Sequence, residues 1–314
     1  DLTQGDINDN SQTVDNIRLW DPTVLAETYS QLQEIRAYYA LKEVDVDRYV
    51  IDGKLTQVMV SARELDQTNL PAEGWVNQRL QYTHGFGVVF SPANAVANQG
   101  QPDFYVKGVP ASTSVSELTI DQPRIYFGES AESSEYVVVN SLQEEVDYPL
   151  STEGQSVAYT NYSGDGGVSI GSFFKRLGFA LRYSELNLLI SNQLSDTSKL
   201  IMERNVISRV KKAAPFLYTD NDPYLALIDG ELFWIIDMYT VSDRYPYAQP
   251  ADSGRINERS GLPLNFNYIR NSVKAVVNAY DGNINFYIFD EEDPLIKSYS
   301  KIFPSMFDSK SEMS

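Results

Sequence analysis

Apolar positions along this chain switch repeatedly between helical and strand spacing. After a polar stretch over 1–15, Asp21 stands as an N-cap with Pro22 at the first helical position. Leu25, Tyr29, Leu32 and Ile35 then recur at three- and four-residue steps, which predicts a helix to about Tyr39. Strand-like runs follow. Asp52-Gly53 marks a hairpin between 49–51 and 57–60, and shorter runs lie at 88–90, 104–106, 124–127 and 136–139, separated by turn-rich segments. A glycine-rich loop over 161–171 is the best boundary in the chain. Beyond it, 172–190 and 196–214 have helical spacing. In the second, Met202, Val206 and Val210 share a stripe, Ser195 or Asp196 can cap the start, and Pro215 ends it. Further Asp-Gly hairpins are predicted at Asp229-Gly230 and Asp281-Gly282, and a last helix over 294–303.

This pattern predicts an α+β fold of two lobes, each an antiparallel sheet built from hairpins with covering helices. A disordered lead-in occupies 1–15, the first lobe 16–160 and the second 161–314, with a basic helical segment at 172–214. Three segments share one design: IDGKLTQVMV at 51–60, IDGELFWIID at 228–237 and YDGNINFYIF at 280–289. Asp-Gly is a common turn dipeptide, so these read either as three ordinary hairpins or as one repeated unit; their irregular period excludes a solenoid.

Composition narrows the chemistry. The 314 residues hold 25 Lys and Arg against 43 Asp and Glu, a net charge of −18. That balance argues against a nucleic-acid backbone as partner. Without cysteine there is no disulfide, thiolate zinc site, iron–sulfur cluster or cysteine nucleophile. No apolar run reaches the 18 residues or so of a membrane span, and the first residues lack the features of a signal peptide, so any targeting segment is expected outside this sequence. The charge is uneven. Residues 175–212 carry eight basic and three acidic side chains, +5 against −23 elsewhere. Such a segment can pair internally, or face anionic lipid or another subunit.

Candidate site residues are few. The one histidine, His84, sits in Tyr82-Thr83-His84-Gly85-Phe86-Gly87, as a general base or as a hydrogen-bonded structural side chain. No G-x-S-x-G string accompanies it, and Gly164-Asp165-Gly166-Gly167 matches neither a Walker A loop nor a dinucleotide fingerprint. Asp45/Asp47, Asp220/Asp222 and the 290–293 run, with Asp290 and Asp293, could supply oxygen ligands to Ca²⁺, though none fits an EF-hand; solvated acidic loops are the plainer reading. Asp237, Asp243, Arg244 and Tyr245 form the densest mix of charged and aromatic groups, a cleft or an aromatic-rich turn.

Several strings carry a family resemblance. Asn16-Ile17-Arg18-Leu19-Trp20-Asp21-Pro22, Tyr82-Thr83-His84-Gly85-Phe86-Gly87, Pro123-Arg124-Ile125-Tyr126-Phe127-Gly128-Glu129, Ser242-Asp243-Arg244-Tyr245-Pro246-Tyr247 and Lys301-Ile302-Phe303-Pro304 together resemble uncharacterised protein family 0182. The resemblance runs in order from about Asn16 to Phe307. It implies a multi-pass membrane protein in which this chain is a soluble part outside the cytoplasm. It implies no catalytic residues. The expectation is therefore an extracytoplasmic region at the cell membrane that binds or assembles rather than catalyses. Its partners would be its own membrane region, another envelope protein, a second copy, or anionic lipid through 175–212. The alternative is a carboxylate-dependent hydrolase of cell-envelope glycan or peptide, with His84 nearby.

Overall fold

A computed structural model describes residues 3–130, 135–150, 156–251, 261–263 and 265–313. Of the lead-in, residues 1–2 lie outside this range, and the rest carries two short helices, Gln4–Asp9 and Ser11–Val14, neither with a buried residue. Helix α1 (Pro22–Gln33) starts where the cap predicts, the Asp21 carboxylate accepting from the amides of Thr23 and Val24. It stops well short of Tyr39. Ile35 takes a left-handed φ of 62°, and Tyr39–Ala40 pairs as a strand with Glu64–Leu65. The physical reason is that Leu25 and Tyr29 bury on one cluster while Tyr38 and Tyr39 bury on another, and a continued helix could not reach both.

Strands β1 (Asp45–Ile51), β2 (Lys54–Ala62) and β3 (Val88–Pro92) form an antiparallel meander that ends in two short strands, Val106–Lys107 and Ser112–Thr113. Asp52 and Gly53 both have positive φ and join Ile51 directly to Lys54, the two-residue turn that the dipeptide predicts.

Strand β4 (Tyr136–Val139), helix α2 (Phe173–Tyr183) and strand β5 (Lys199–Met202) follow. β5 corrects the helix expected over 196–214. It lies between β4 and Val168–Ser169 in a three-stranded sheet. Leu200 and Ile201 are both fully buried, but in different clusters: Leu200 with Tyr136 and Val138, Ile201 with Val137 and Val139. Consecutive residues reach opposite sides only in a strand, so burial on both faces decides the element. The helix proper, α3 (Val206–Ala213), begins at the Asn205 cap, whose side chain accepts from the Ser208 amide. The helix expected over 172–190 is likewise broken, with Ser184 left-handed between α2 and a short turn at Asn187–Ile190.

The large sheet holds β6 (Tyr224–Ile228), β7 (Glu231–Ser242), β8 (Tyr268–Asn278) and β9 (Ile284–Ile288), with Tyr218–Thr219 also paired to β7. Its hairpins turn at Asp229-Gly230 and Asp281-Gly282. Helix α4 (Pro294–Ile302) then leads to β10 (Phe307–Ser309), which adds in parallel to β9. The fold is α+β, and one hydrophobic cluster runs from Ile51 to Ile296, joining Val58, Val60 and Phe90 of the first sheet to Leu225, Trp234 and Val277 of the large one. Side chains of β1 also cap the edge of β6: the Asp45 carboxylate and the Tyr49 hydroxyl accept from the Leu225 and Leu227 amides at 2.9 and 2.7 Å.

Candidate functional site

His84 lies inside the protein, 1% exposed, tilted against the Tyr126 ring at 4.8 Å. Its Nδ1 is 3.0 Å from the Gly85 carbonyl, which makes Nδ1–H the natural donor. Nε2 is then a lone pair with no hydrogen-bond partner among the described residues, 3.9 Å from Asp147 Oδ1. Burial pulls the imidazole pKa down to about 4, so the ring is neutral near pH 7. Around it lies a charged network that sequence reasoning missed. Arg124 clamps Asp147 through two bonds of 2.7 and 2.8 Å. Glu145 accepts from the Thr83 hydroxyl, the Tyr126 hydroxyl and the Tyr162 amide. Buried Arg204 donates to the carbonyls of Tyr126 and Thr83. The available signal was Glu145-Val146-Asp147, acidic residues alternating with an apolar one in a strand-like run; the side-chain and amide partners named here lie from 17 to 62 residues away.

The other residues picked from sequence are not brought to one place. Asp237 sits opposite Lys274 on β7 and β8 and pairs with it. Asp243 and Arg244 form an exposed pair at 3.7 Å, and Tyr245 stacks on Tyr268 at 5.2 Å. Asp290 pairs with Arg270 at 2.7 Å, which holds its carboxyl below the usual range. Asp293 is fully buried and caps α4 through the Leu295 amide at 3.0 Å, while also accepting from the hydroxyls of Thr240, Ser272 and Tyr268. Asp220 is half-buried, which raises its pKa, and its amide donates to the Asp237 carbonyl. Asp222 lines a groove of about 390 Å³ with Glu43 and Asp45. Near it, burial and neighbouring carboxylates push Asp45 up to about 7 and Glu129 up to about 10. Among the described residues, no three His, Cys, Asp or Glu side chains converge as a metal site would need. The glycine-rich loop is packed for a different reason than phosphate binding: a Cβ on Gly164 would meet the Tyr162 hydroxyl at 2.5 Å, and one on Gly166 the Asp281 carbonyl at 2.3 Å.

Among the described residues, the outside of α2 gathers several exposed large apolar side chains on one short segment. Phe173, Phe174 and Leu181, with Leu186 and Ile190 just beyond, are 60 to 81% exposed. The inner side of the same helix, with Phe179, Ala180 and Tyr183, packs on the cluster around β4 and β5. Beside Arg182 a cleft of about 430 Å³ opens over the start of α3, lined by Arg182, Arg204, Lys212, Glu135, Glu203 and Ser208. Most of the basic segment is already engaged within the chain. Arg182 and Lys212 both hold Glu203, at 2.8 and 2.5 Å. Arg176, Lys199, Arg204, Arg209 and Lys211 donate to intrachain acceptors, which leaves Lys175 of the eight.

The comparisons with known proteins bear on this arrangement. The model of an uncharacterised protein family, UPF0182, matches residues 1–314. This chain belongs to the UPF0182 family. It is 47% identical over 308 residues to a UPF0182 protein of Pelotomaculum thermopropionicum, covering 98% of this chain and 32% of that protein. UPF0182 proteins of Methanospirillum hungatei and Trichodesmium erythraeum are each 45% identical, covering 98 and 99% of this chain and 33 and 34% of theirs. The chain thus spans about a third of the length of the UPF0182 relatives it matches. No solved structure matches it. No helix among the described residues is long and apolar enough to cross a membrane.

Proposed function

We propose that this chain is an extracytoplasmic region of an integral membrane protein and works by binding or assembly rather than by catalysis. The carrying observation is the division of labour among its side chains. His84, Asp147, Glu145 and Asp293 are closed in by the fold, whereas Phe173, Phe174, Leu181, Leu186 and Ile190 face outward, 60 to 81% exposed. Contiguous apolar surface on a charged protein marks a place where something else sits. The membrane context is supported by the family resemblance of the sequence strings. The binding reading is favoured over the hydrolase because an imidazole sealed from solvent, its basicity lowered by burial, is poorly placed to take a proton from a substrate.

Because this chain has no cysteine, single cysteines can be placed in it within the full-length protein, any cysteine elsewhere first being replaced. Val24→Cys places a thiol on α1, which packs on a different cluster from α2, at a position where the native side chain is 59% exposed. A membrane-impermeant maleimide should label it in intact cells; labelling only after permeabilisation would overturn the extracytoplasmic assignment. Phe174→Cys should react in the purified chain and be protected in cells. Equal reactivity in both would overturn the binding reading.

A further inference from the structure

The outer face of α2 has an order that its exposure alone does not require. At 3.6 residues per turn, Phe174, Gly178 and Leu181 fall within about 60° of one another on the side opposite Ala180 and Tyr183. Gly178 has open space where a Cβ would be. Lys175 and Arg182, seven residues apart, share one flank of this strip, and Phe173 lies on the other. Leu186 and Ile190, four residues apart, continue the exposed apolar surface beyond Ser184. The strip therefore has a basic edge, and it belongs to a segment of net charge +5 in a chain that is −23 elsewhere.

We propose that the α2 face is an interfacial docking surface for an anionic lipid bilayer. Phe173, Phe174, Leu181, Leu186 and Ile190 enter the boundary between headgroups and acyl chains, and Lys175 lies along lipid phosphates, with Arg182 beside it held on Glu203. An amphipathic helix with aromatic and leucine side chains on one side and basic ones at the edge has the chemistry of that boundary. The uneven charge sets the orientation, because an anionic surface repels every other side of the molecule. At physiological salt, with a Debye length of about 8 Å, the distant acidic surface is screened while a contacting helix still meets the phosphates. The inference rests on the reading of this face as occupied, and it names the occupant.

The test is co-sedimentation of the chain with vesicles of phosphatidylcholine and phosphatidylglycerol, against phosphatidylcholine alone. Binding is expected to the mixed vesicles and to weaken at about 1 M salt. At about one kilocalorie per mole for a basic side chain, Lys175→Gln should lower partitioning roughly fivefold. Phe174→Ser with Leu181→Ser should abolish it while leaving the circular-dichroism melt in place, since both side chains are exposed. No binding at physiological salt, equal binding to neutral vesicles, or binding that survives the serine pair would overturn the proposal. So would a discrete concentration-dependent dimer at about pH 8 and low salt that the serine pair dissolves, which would assign the face to a second copy. Protection of Phe174→Cys in cells without vesicle binding would remove the lipid and leave the binding reading intact.

Discussion

The buried ionisable side chains here sit in specific surroundings of packing and hydrogen bonds, and their removal should register as instability. His84→Ala deletes a fully enclosed ring beside Tyr126 and strands the Gly85 carbonyl. A loss of about 2–4 kcal/mol is expected, seen as a fall of several degrees in melting temperature. An unchanged melt would contradict the packing described for this residue. Asp293→Ala removes the cap of α4 together with the acceptor for three hydroxyls, and should cost about as much by urea denaturation. A cost under half a kilocalorie per mole would mean that those hydroxyls find other partners. Some of this was legible in the sequence. Asp21-Pro22 announces its cap, and a lone histidine beside two glycines invites the structural reading. Arg204 was not legible, because its acceptors lie 78 and 121 residues away and nothing local distinguishes it from the exposed basic residues around it.

At the scale of elements, turn chemistry was readable and burial on two faces was not. All three Asp-Gly pairs turn hairpins: glycine takes positive φ at little cost in each, and aspartate tolerates it at Asp52 and Asp229. β5 escaped because Lys199-Leu200-Ile201-Met202 is too short for alternation to show, and its length extends a helical stripe that is real only from Val206. Leu200→Ala should therefore behave as a central-strand deletion, costing about 2–5 kcal/mol, where a helix-surface site would cost little. Gly282→Ala makes a sharper case. Its φ is +75°, and a Cβ would come within 2.4 Å of the Phe127 ring, which itself lies under the Arg209 guanidinium at 4.6 Å. The substitution should cost more than the roughly 1 kcal/mol expected from backbone conformation alone; a cost below that would show the ring yielding freely.

Across the whole molecule, the perturbed groups pull stability in opposite directions with pH. Asp45 and Glu64 are pushed up to about 7, and Glu129 to about 10, burial being the largest cause in each. Raised carboxyls give stability that is complete below their unfolded values near 4 and is lost as pH rises through the folded ones. His84 runs the other way: lowered from 6.5 to about 4, it gives stability that is complete above 6.5 and lost as pH falls toward 4. Three carboxyls outweigh one imidazole, so the melting temperature should be higher near about pH 5.5 than at about pH 8. Glu129→Gln, neutral at both, should flatten that slope and stabilise the chain on the alkaline side. A melting temperature that climbs steadily from acid to alkaline would sink the account.

The outward-facing phenylalanines and leucines around α2 also set how the protein behaves in a tube. Free in solution, copies of the chain are kept apart by their −18 charge, a colloidal barrier that thins as salt is added or as pH approaches the isoelectric point near 4.4. The conditions that tighten the fold are therefore those in which copies begin to stick together. Light scattering should show clustering at mildly acid pH well before any unfolding, and the serine pair at 174 and 181 should keep the solution clear.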